Sequence, residues 1–345
     1  MTDVDPRRSD TSGNDLRRLR VLIPTNRDIY GLLSYGMVID FEDGVAELTD
    51  ADLVPVPLPS RRARLTAARQ GRWLSPTDAP RQNYDVCLFV AMDPQWVPSL
   101  LQVRDLRRIA RKVVVYVIDS WLAYLPSLRR NQRAWTEVDH LFISFEHALE
   151  AYGDALPCQV HHLPQGISDR WFSPHRTSRP LDVLSIGRRL PSVHEHLVRL
   201  ARDEDLFYFY QTARAPMAID LLENQQLLGR LLQSSKVHVN WAMESTHPER
   251  AEHGGPIMAR FFESAACAGV VVGSKPLNPA FDHLFPYDGF VREIPVAAPE
   301  ATGEVVAAAL ADTAGRSERL SLAHDTLARH TWKARWRRMA EISNL

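Results

Sequence analysis

Cysteine and lysine are both scarce in this chain of 345 residues. The three cysteines, Cys87, Cys158 and Cys267, stand far apart and form no Cys-x-x-Cys pair. A disulfide framework and a thiolate zinc site are therefore not expected, nor is any other metal site. Lysine occurs only at positions 112, 236, 275 and 333, so arginine carries nearly all the positive charge. We read that as compositional bias rather than phosphate recognition. The 41 basic and 42 acidic residues leave a formal net charge of −1. No overall field steers the molecule toward nucleic acid or an anionic membrane. No apolar run reaches membrane-spanning length and no signal peptide is visible, so the expected location is cytoplasmic, at most peripheral to the inner face of the membrane. A Gly-x-Gly-x-x-Gly turn, a Walker lysine motif and a Gly-x-Ser-x-Gly elbow are all missing. Dinucleotide-dependent, P-loop and α/β-hydrolase chemistry lose their signatures with them. Repeats of solenoid period are also absent.

What is present is a globular balance, 45% hydrophobic and 24% charged, in a chain long enough for two domains. Residues 1–17 read as a disordered leader. Short apolar runs then alternate with helical segments: Arg20–Thr25, Leu53–Leu58, Asp85–Val90, Val113–Ile118 and Asp139–Ser144. That rhythm predicts a parallel sheet with helices on both faces, and the prolines of the second run place it at an edge. Ligands of such sheets sit beyond the carboxyl ends of the strands. Those ends carry Asn26 to Gly31, Asp93, Asp119, Trp121 and Ser144. Asp119 and Trp121 suit sugar hydroxyls and a pyranose face; a capping Asp and a buried Trp would explain them as well. The arginine-rich stretch 60–73 is either a solvated helix or a patch for an anionic acceptor or membrane surface.

The segment His253 to Ser274 organises the second half. Gly254, Gly255 and Pro256 suit a helix start, and Ile257, Phe261 and Ala265 recur at helical spacing. Gly269 would end the helix in a left-handed conformation, and Val270–Val272 would follow as a buried strand. A glycine-rich loop feeding a helix offers free N–H groups to a phosphate. Glu263, further along, could accept the hydroxyls of a ribose. Arg260 and Glu263 at i,i+3 also fit an ordinary solvated ion pair.

The stretch Arg260-Phe-Phe-Glu-Ser-Ala-Ala-Cys-Ala-Gly-Val-Val-Val resembles the donor-site helix of the retaining GT-B glycosyltransferases, the group 1 superfamily. The turn His162-Leu-Pro-Gln-Gly-Ile-Ser-Asp-Arg-Trp-Phe-Ser-Pro is similar to that superfamily's crossing between domains. Gly187-Arg188-Arg189 closes the strand at Leu181–Gly187 as the superfamily's diphosphate-binding Gly-Arg does. The segment from His330 to Met339 is similar to its closing helix, which returns to the first domain. The superfamily's lysine shortly after the Gly-Arg is missing, and so is the first of its two paired glutamates: Gly255 stands where that carboxylate would be. Glu252, His253 or the N–H groups of Gly254 and Gly255 would have to serve.

The resemblance implies an α/β GT-B architecture of two Rossmann-like doubly wound domains. Residues 18–174 would form the acceptor side, 181–330 the nucleotide-sugar domain and 331–345 a crossover helix. It implies a metal-independent, retaining glycosyltransferase with no cofactor beyond a nucleoside-diphosphate sugar as donor. Arg188, Arg189, Gly254, Gly255, Arg260 and Glu263 would bind the donor. Asn26, Gly31, Asp119 and Trp121 would face an unidentified acceptor, whether small molecule, glycan or lipid-linked, with no nucleic acid partner. Arg188 and Asp119 are the catalytic candidates. The alternatives are a GT-B pseudo-glycosyltransferase or sugar-nucleotide epimerase, and a non-catalytic nucleotide-sugar-binding protein.

Overall fold

The computed structural model describes residues 16–27, 33–56, 78–174, 178–211, 220–251 and 255–345. Most of the leader, Gly31, the arginine-rich stretch, and Glu252, His253 and Gly254 lie outside the described residues.

Two parallel sheets make up the chain. The first has strands β1 Arg20–Thr25, β2 Asp50–Pro55, β3 Tyr84–Ala91, β4 Ala110–Val117, β5 His140–Ile143 and β6 Gln159–His162. Their order across the sheet is β2-β1-β3-β4-β5-β6. Val113, Val114, Val115, Tyr116 and Val117 are fully buried, as a strand covered by helices on both faces requires. β2, with Pro55, lies at the sheet edge, where a missing N–H costs no ladder bond. β6 carried no signal in the sequence beyond a few residues before the Leu-Pro-Gln-Gly turn. Its partly exposed Gln-Val-His-His lacks the apolar run of a central strand.

The second sheet holds β7 Leu181–Ser185, β8 Tyr208–Tyr210, β9 Ser235–Asn240, β10 Val270–Gly273 and β11 Val291–Glu293, in the order β11-β10-β9-β7-β8. The central strands β7, β9 and β10 bury Val183, Val237, Val271 and Val272 completely.

The chain crosses between the sheets twice. After β6 the turn through Gln165 leads to Ile167, whose N–H donates to the carbonyl of His330 at 3.0 Å and whose carbonyl accepts from Trp332 at 2.9 Å. The helix Trp332–Ile342 then returns to the first sheet. Trp332, Trp336 and Met339 join the core of that first half rather than the core of the second. Beyond the helix, the Lys112 ammonium donates to the carbonyls of Ser343 and Asn344.

Two local readings are corrected. The helix after the Gly-Gly-Pro loop begins at Ala259 and not at Pro256, with Met258 at its cap still in an extended conformation. It ends with Ala268 in the left-handed region at φ 51°, not Gly269. Gly269 is needed for a different reason: a Cβ there would stand 2.2 Å from Cε1 of the buried His238 imidazole.

Candidate active site

β7 delivers the first functional side chain. Gly187 adopts φ 91°, a left-handed turn that a side chain would strain, and Arg188 follows it into the space between the sheets. β9 delivers Asn240 and Trp241. The Asn240 amide donates to the carbonyl of Arg260 at 3.1 Å and to the Ser264 hydroxyl at 2.9 Å, fixing the helix Ala259–Ala266 against the strand end. That helix presents Arg260 and Glu263 to the same space, while Phe261, Phe262, Ala265 and Ala266 go into the core.

The space is a cleft of about 540 Å³. The first half contributes Leu33, Ser34 and Met37 to its lining, and the crossing turn contributes Gln165. Its polar lining includes Arg188, Asn240, Arg260 and Glu263, and its apolar lining includes Ile186, Phe209, Leu228 and Leu231. Such a mixture, mostly apolar with a few convergent polar groups, is usual for a small-molecule site.

Its electrostatics favour an anion. Arg188 makes no ion pair among the described residues; its guanidinium donates to Met243 Sδ at 3.7 Å. Its pKa is lowered, first by burial and next by the like charge of Arg260, while Asp119 and Glu244 act the other way. Arg260 is paired to Glu263, yet this is no solvated surface pair. The Glu263 carboxylate is almost wholly buried, and burial pushes its pKa up against the pull of Arg260. A desolvated guanidinium without a carboxylate partner is costly unless an anion completes it.

Asp119 belongs to the other half, just beyond the carboxyl end of β4, and is not among the residues lining the cleft. Burial pushes its carboxyl up to about 7, with Asp93 adding to the rise and Arg188 and Arg250 opposing it. Its side chain caps no helix; the capping Asp is Asp93, which accepts from the Gln95 N–H at 2.8 Å. Trp121 is only partly buried: its ring meets Phe145 edge-on at 4.6 Å, and its carbonyl accepts the Tyr152 hydroxyl at 3.0 Å.

The remaining sequence candidates are dispersed. Arg189 is not among the residues lining the cleft; its guanidinium lies 5.5 Å over the ring of Tyr210, which is, and 3.4 Å from His194 Nε2. Asn26 is buried, its amide donating to the Val56 carbonyl and its own carbonyl left unpartnered. Gly255 is buried outside the cleft lining, where a Cβ would meet the Glu244 carboxyl carbon at 2.5 Å. Sequence reasoning missed Gln165, Asn240 and Trp241, although the first lies in the quoted crossing turn.

Residues 221–341 match the family model described as glycosyl transferase-like. No curated protein matches the chain in sequence. Among solved structures, a glycosyltransferase from Rickettsia africae aligns with a TM-score of 0.53 at 9% identity, over 94% of this chain and 97% of that one. An alpha-glucosyltransferase in complex with UDP and a 13-mer DNA containing an HMU base aligns with a TM-score of 0.52 at 14% identity, over 91% of this chain and 96% of that one. The same kind of enzyme in complex with UDP-glucose and DNA containing an abasic site gives 0.51 at 13% identity, over 91% and 95%. Two parallel sheets flanked by helices, with these neighbours, define the GT-B fold. The glycosyl transferase-like segment forms most of the second half of the chain. None of its described helices is long and apolar enough to cross a membrane.

Proposed function

We propose that the protein moves a sugar from a nucleoside-diphosphate sugar to an unidentified acceptor without a metal, with residues 18–174 as the acceptor side and 181–330 as the donor side. One observation carries this reading: Arg188 lines the cleft together with Arg260 and makes no ion pair among the described residues, while burial and then the like charge of Arg260 lower its pKa. Two guanidinium groups held together in a low-dielectric cleft form a site for a doubly charged leaving group. Negative charge builds on the donor diphosphate as the glycosidic bond breaks. A guanidinium already in place then stabilises the transition state more than the bound donor.

Glu263 is the candidate for the ribose hydroxyls, held in place by Arg260. The apolar lining of the cleft offers surface to a nucleobase, and Asp119, on the other half, is the candidate for contact with the acceptor. The likeness of Arg260–Val272 to the retaining branch supports transfer with retention. A second reading is favoured by Asp119: a carboxyl raised to about 7 is matched to taking a proton from an acceptor hydroxyl near neutral pH. Direct displacement assisted by that base would invert the anomeric centre.

The purified protein should release nucleotide from at least one member of a panel of UDP-, GDP- and dTDP-sugars. Proton NMR of the transferred or hydrolysed sugar then reads the anomeric configuration. Nucleotide that binds but is never released would favour the non-catalytic alternative, and no binding at all would remove the reading.

A further inference from the structure

Gln165 occupies the crossing turn, fully buried, and its side chain touches both halves of the chain. Its Oε1 accepts the Ala259 N–H at 2.7 Å, at the first turn of the helix that carries Arg260 and Glu263. Its Nε2 donates to the Ile118 carbonyl at 3.3 Å, the peptide group that leads into Asp119. The Gln165 carbonyl in turn accepts two bonds from the Arg335 guanidinium, at 3.3 and 3.0 Å. Arg335 has no carboxylate partner among the described residues and stacks over Phe262, on the same helix. A single amide therefore links the residue before Asp119 to the residue before Arg260, and its own backbone is clamped from the returning helix.

We infer that Gln165 is a positioning residue that sets the alignment of Asp119 on the first half against Arg188, Arg260 and Glu263 on the second. The chemistry suits a primary amide: Oε1 must accept from a helix N–H while Nε2 donates to a strand carbonyl, and an ionised carboxylate of that length only accepts. Leucine fills the volume and makes neither bond. Glutamate keeps the Ala259 bond but turns an acceptor toward the Ile118 carbonyl, where two oxygens repel. Asparagine is one methylene short. The cost of losing the tie falls on geometry: a displacement of about 1 Å between reacting groups can lower a rate ~10²-fold.

The catalytic part of this inference rests on the transferase reading of the cleft; the alignment part does not, and the two are tested apart. For alignment, nitroxide labels on Arg129→Cys and Glu204→Cys, both exposed and in opposite halves, report the distance between the halves in the ligand-free protein. The background carries Cys158→Ser, since Cys87 and Cys267 are buried. The distribution should shift or broaden in Gln165→Leu and in Gln165→Glu. A wild-type distribution in Gln165→Leu, or in Gln165→Glu at pH 9 where its carboxyl is ionised, overturns the inference, because the arm to Ile118 is then lost. For chemistry, turnover of whichever sugar nucleotide the wild type uses should fall ~10²-fold in Gln165→Glu, with UDP affinity by calorimetry nearly unchanged. A loss confined to UDP affinity would make Gln165 a support of the donor helix alone and overturn it. Should Gln165→Leu fail to fold, Gln165→Glu carries the test. Should the wild type turn over no sugar nucleotide, the functional reading falls while the label distances still decide the tie.

Discussion

The indole of Trp332 lies face to face on the ring of Phe41, with centroids 4.9 Å apart and planes 12° apart. Tyr116 closes the cluster edge-on at 5.9 Å from the same indole. Phe41 and Tyr116 belong to the first half, so the last helix of the chain is held by the half it left at residue 163. Gly166, at the crossing, has to be bare for this to happen: a Cβ there would stand 2.7 Å from the Trp332 ring. Trp332→Ala should cost about 3–5 kcal/mol, as for other buried Trp and Phe truncations. Chemical denaturation reads it. A loss below about 1 kcal/mol would mean that the helix is a passenger rather than part of the core.

Glu263 is a test of the donor side. If it accepts ribose hydroxyls as a charged group, Glu263→Ala should weaken nucleotide binding by about 1.5–3 kcal/mol. Arg260 complicates the substitution, since it loses its partner and joins Arg188 as a second unpaired cation. Glu263→Gln keeps the shape and separates the two effects. Calorimetry showing wild-type affinity in both variants, with the fold intact, would remove the assignment.

How much of this was legible in advance depends on the range of the interaction. Val113–Ile118 and Val270–Val272 declared themselves as strands because burial on both faces leaves nothing but apolar residues in the run. Arg188, Arg260 and Glu263 could be named because each lies within a short stretch of recognisable pattern. Gln165 could not, because its value comes from Ala259, 94 residues away. The same holds for Asp40, bonded to Gln225 from 185 residues away. Glycine misled in a different way. Gly269 suggested a left-handed turn, whereas the constraint is the His238 ring against it. A sequence shows that a glycine is required without showing whether backbone or neighbour requires it.

Asp40 supplies a prediction about pH. Its carboxylate accepts from Trp171 Nε1 at 2.7 Å and Gln225 Nε2 at 2.7 Å, joining the helix Gly36–Ala46 to the crossing and to the helix Leu221–Ser234. Burial raises it from 3.8 to about 7, those two bonds and Arg170 opposing the rise and Asp43 adding to it. A carboxyl raised in the folded state binds more protons there than in the unfolded chain. Its contribution to stability is therefore greatest at low pH and declines as pH rises from about 4 to about 7. Glu42 and Asp119, raised for the same reason, act in the same direction, while His238 and His330, lowered to about 3, act in the opposite one. The test is thus a difference. Across that range, the melting temperature of Asp40→Asn relative to wild type should climb with pH. A constant offset would show that Asp40 does not titrate there.

The sharpest test of the chemistry sets Arg188 against Arg189. If Arg188 neutralises the departing diphosphate, its interaction strengthens on the way to the transition state, and Arg188→Ala should lower kcat more than it raises KM for the donor. Loss of one well-placed donor typically costs ~10²–10³-fold in rate. Arg189 points at Tyr210 and His194, so Arg189→Ala forfeits a cation–π contact worth about 0.5–1 kcal/mol and should be far milder. Equal losses in both variants would mean that the loop as a whole holds the phosphates. No loss in Arg188→Ala would leave the cleft without its leading catalytic candidate. Because side chains are assigned the charge neutralisation, EDTA should leave the wild-type rate unchanged. If EDTA abolishes activity and magnesium or manganese restores it, the arginine pair is not the main counter-charge, and the metal-free mechanism falls.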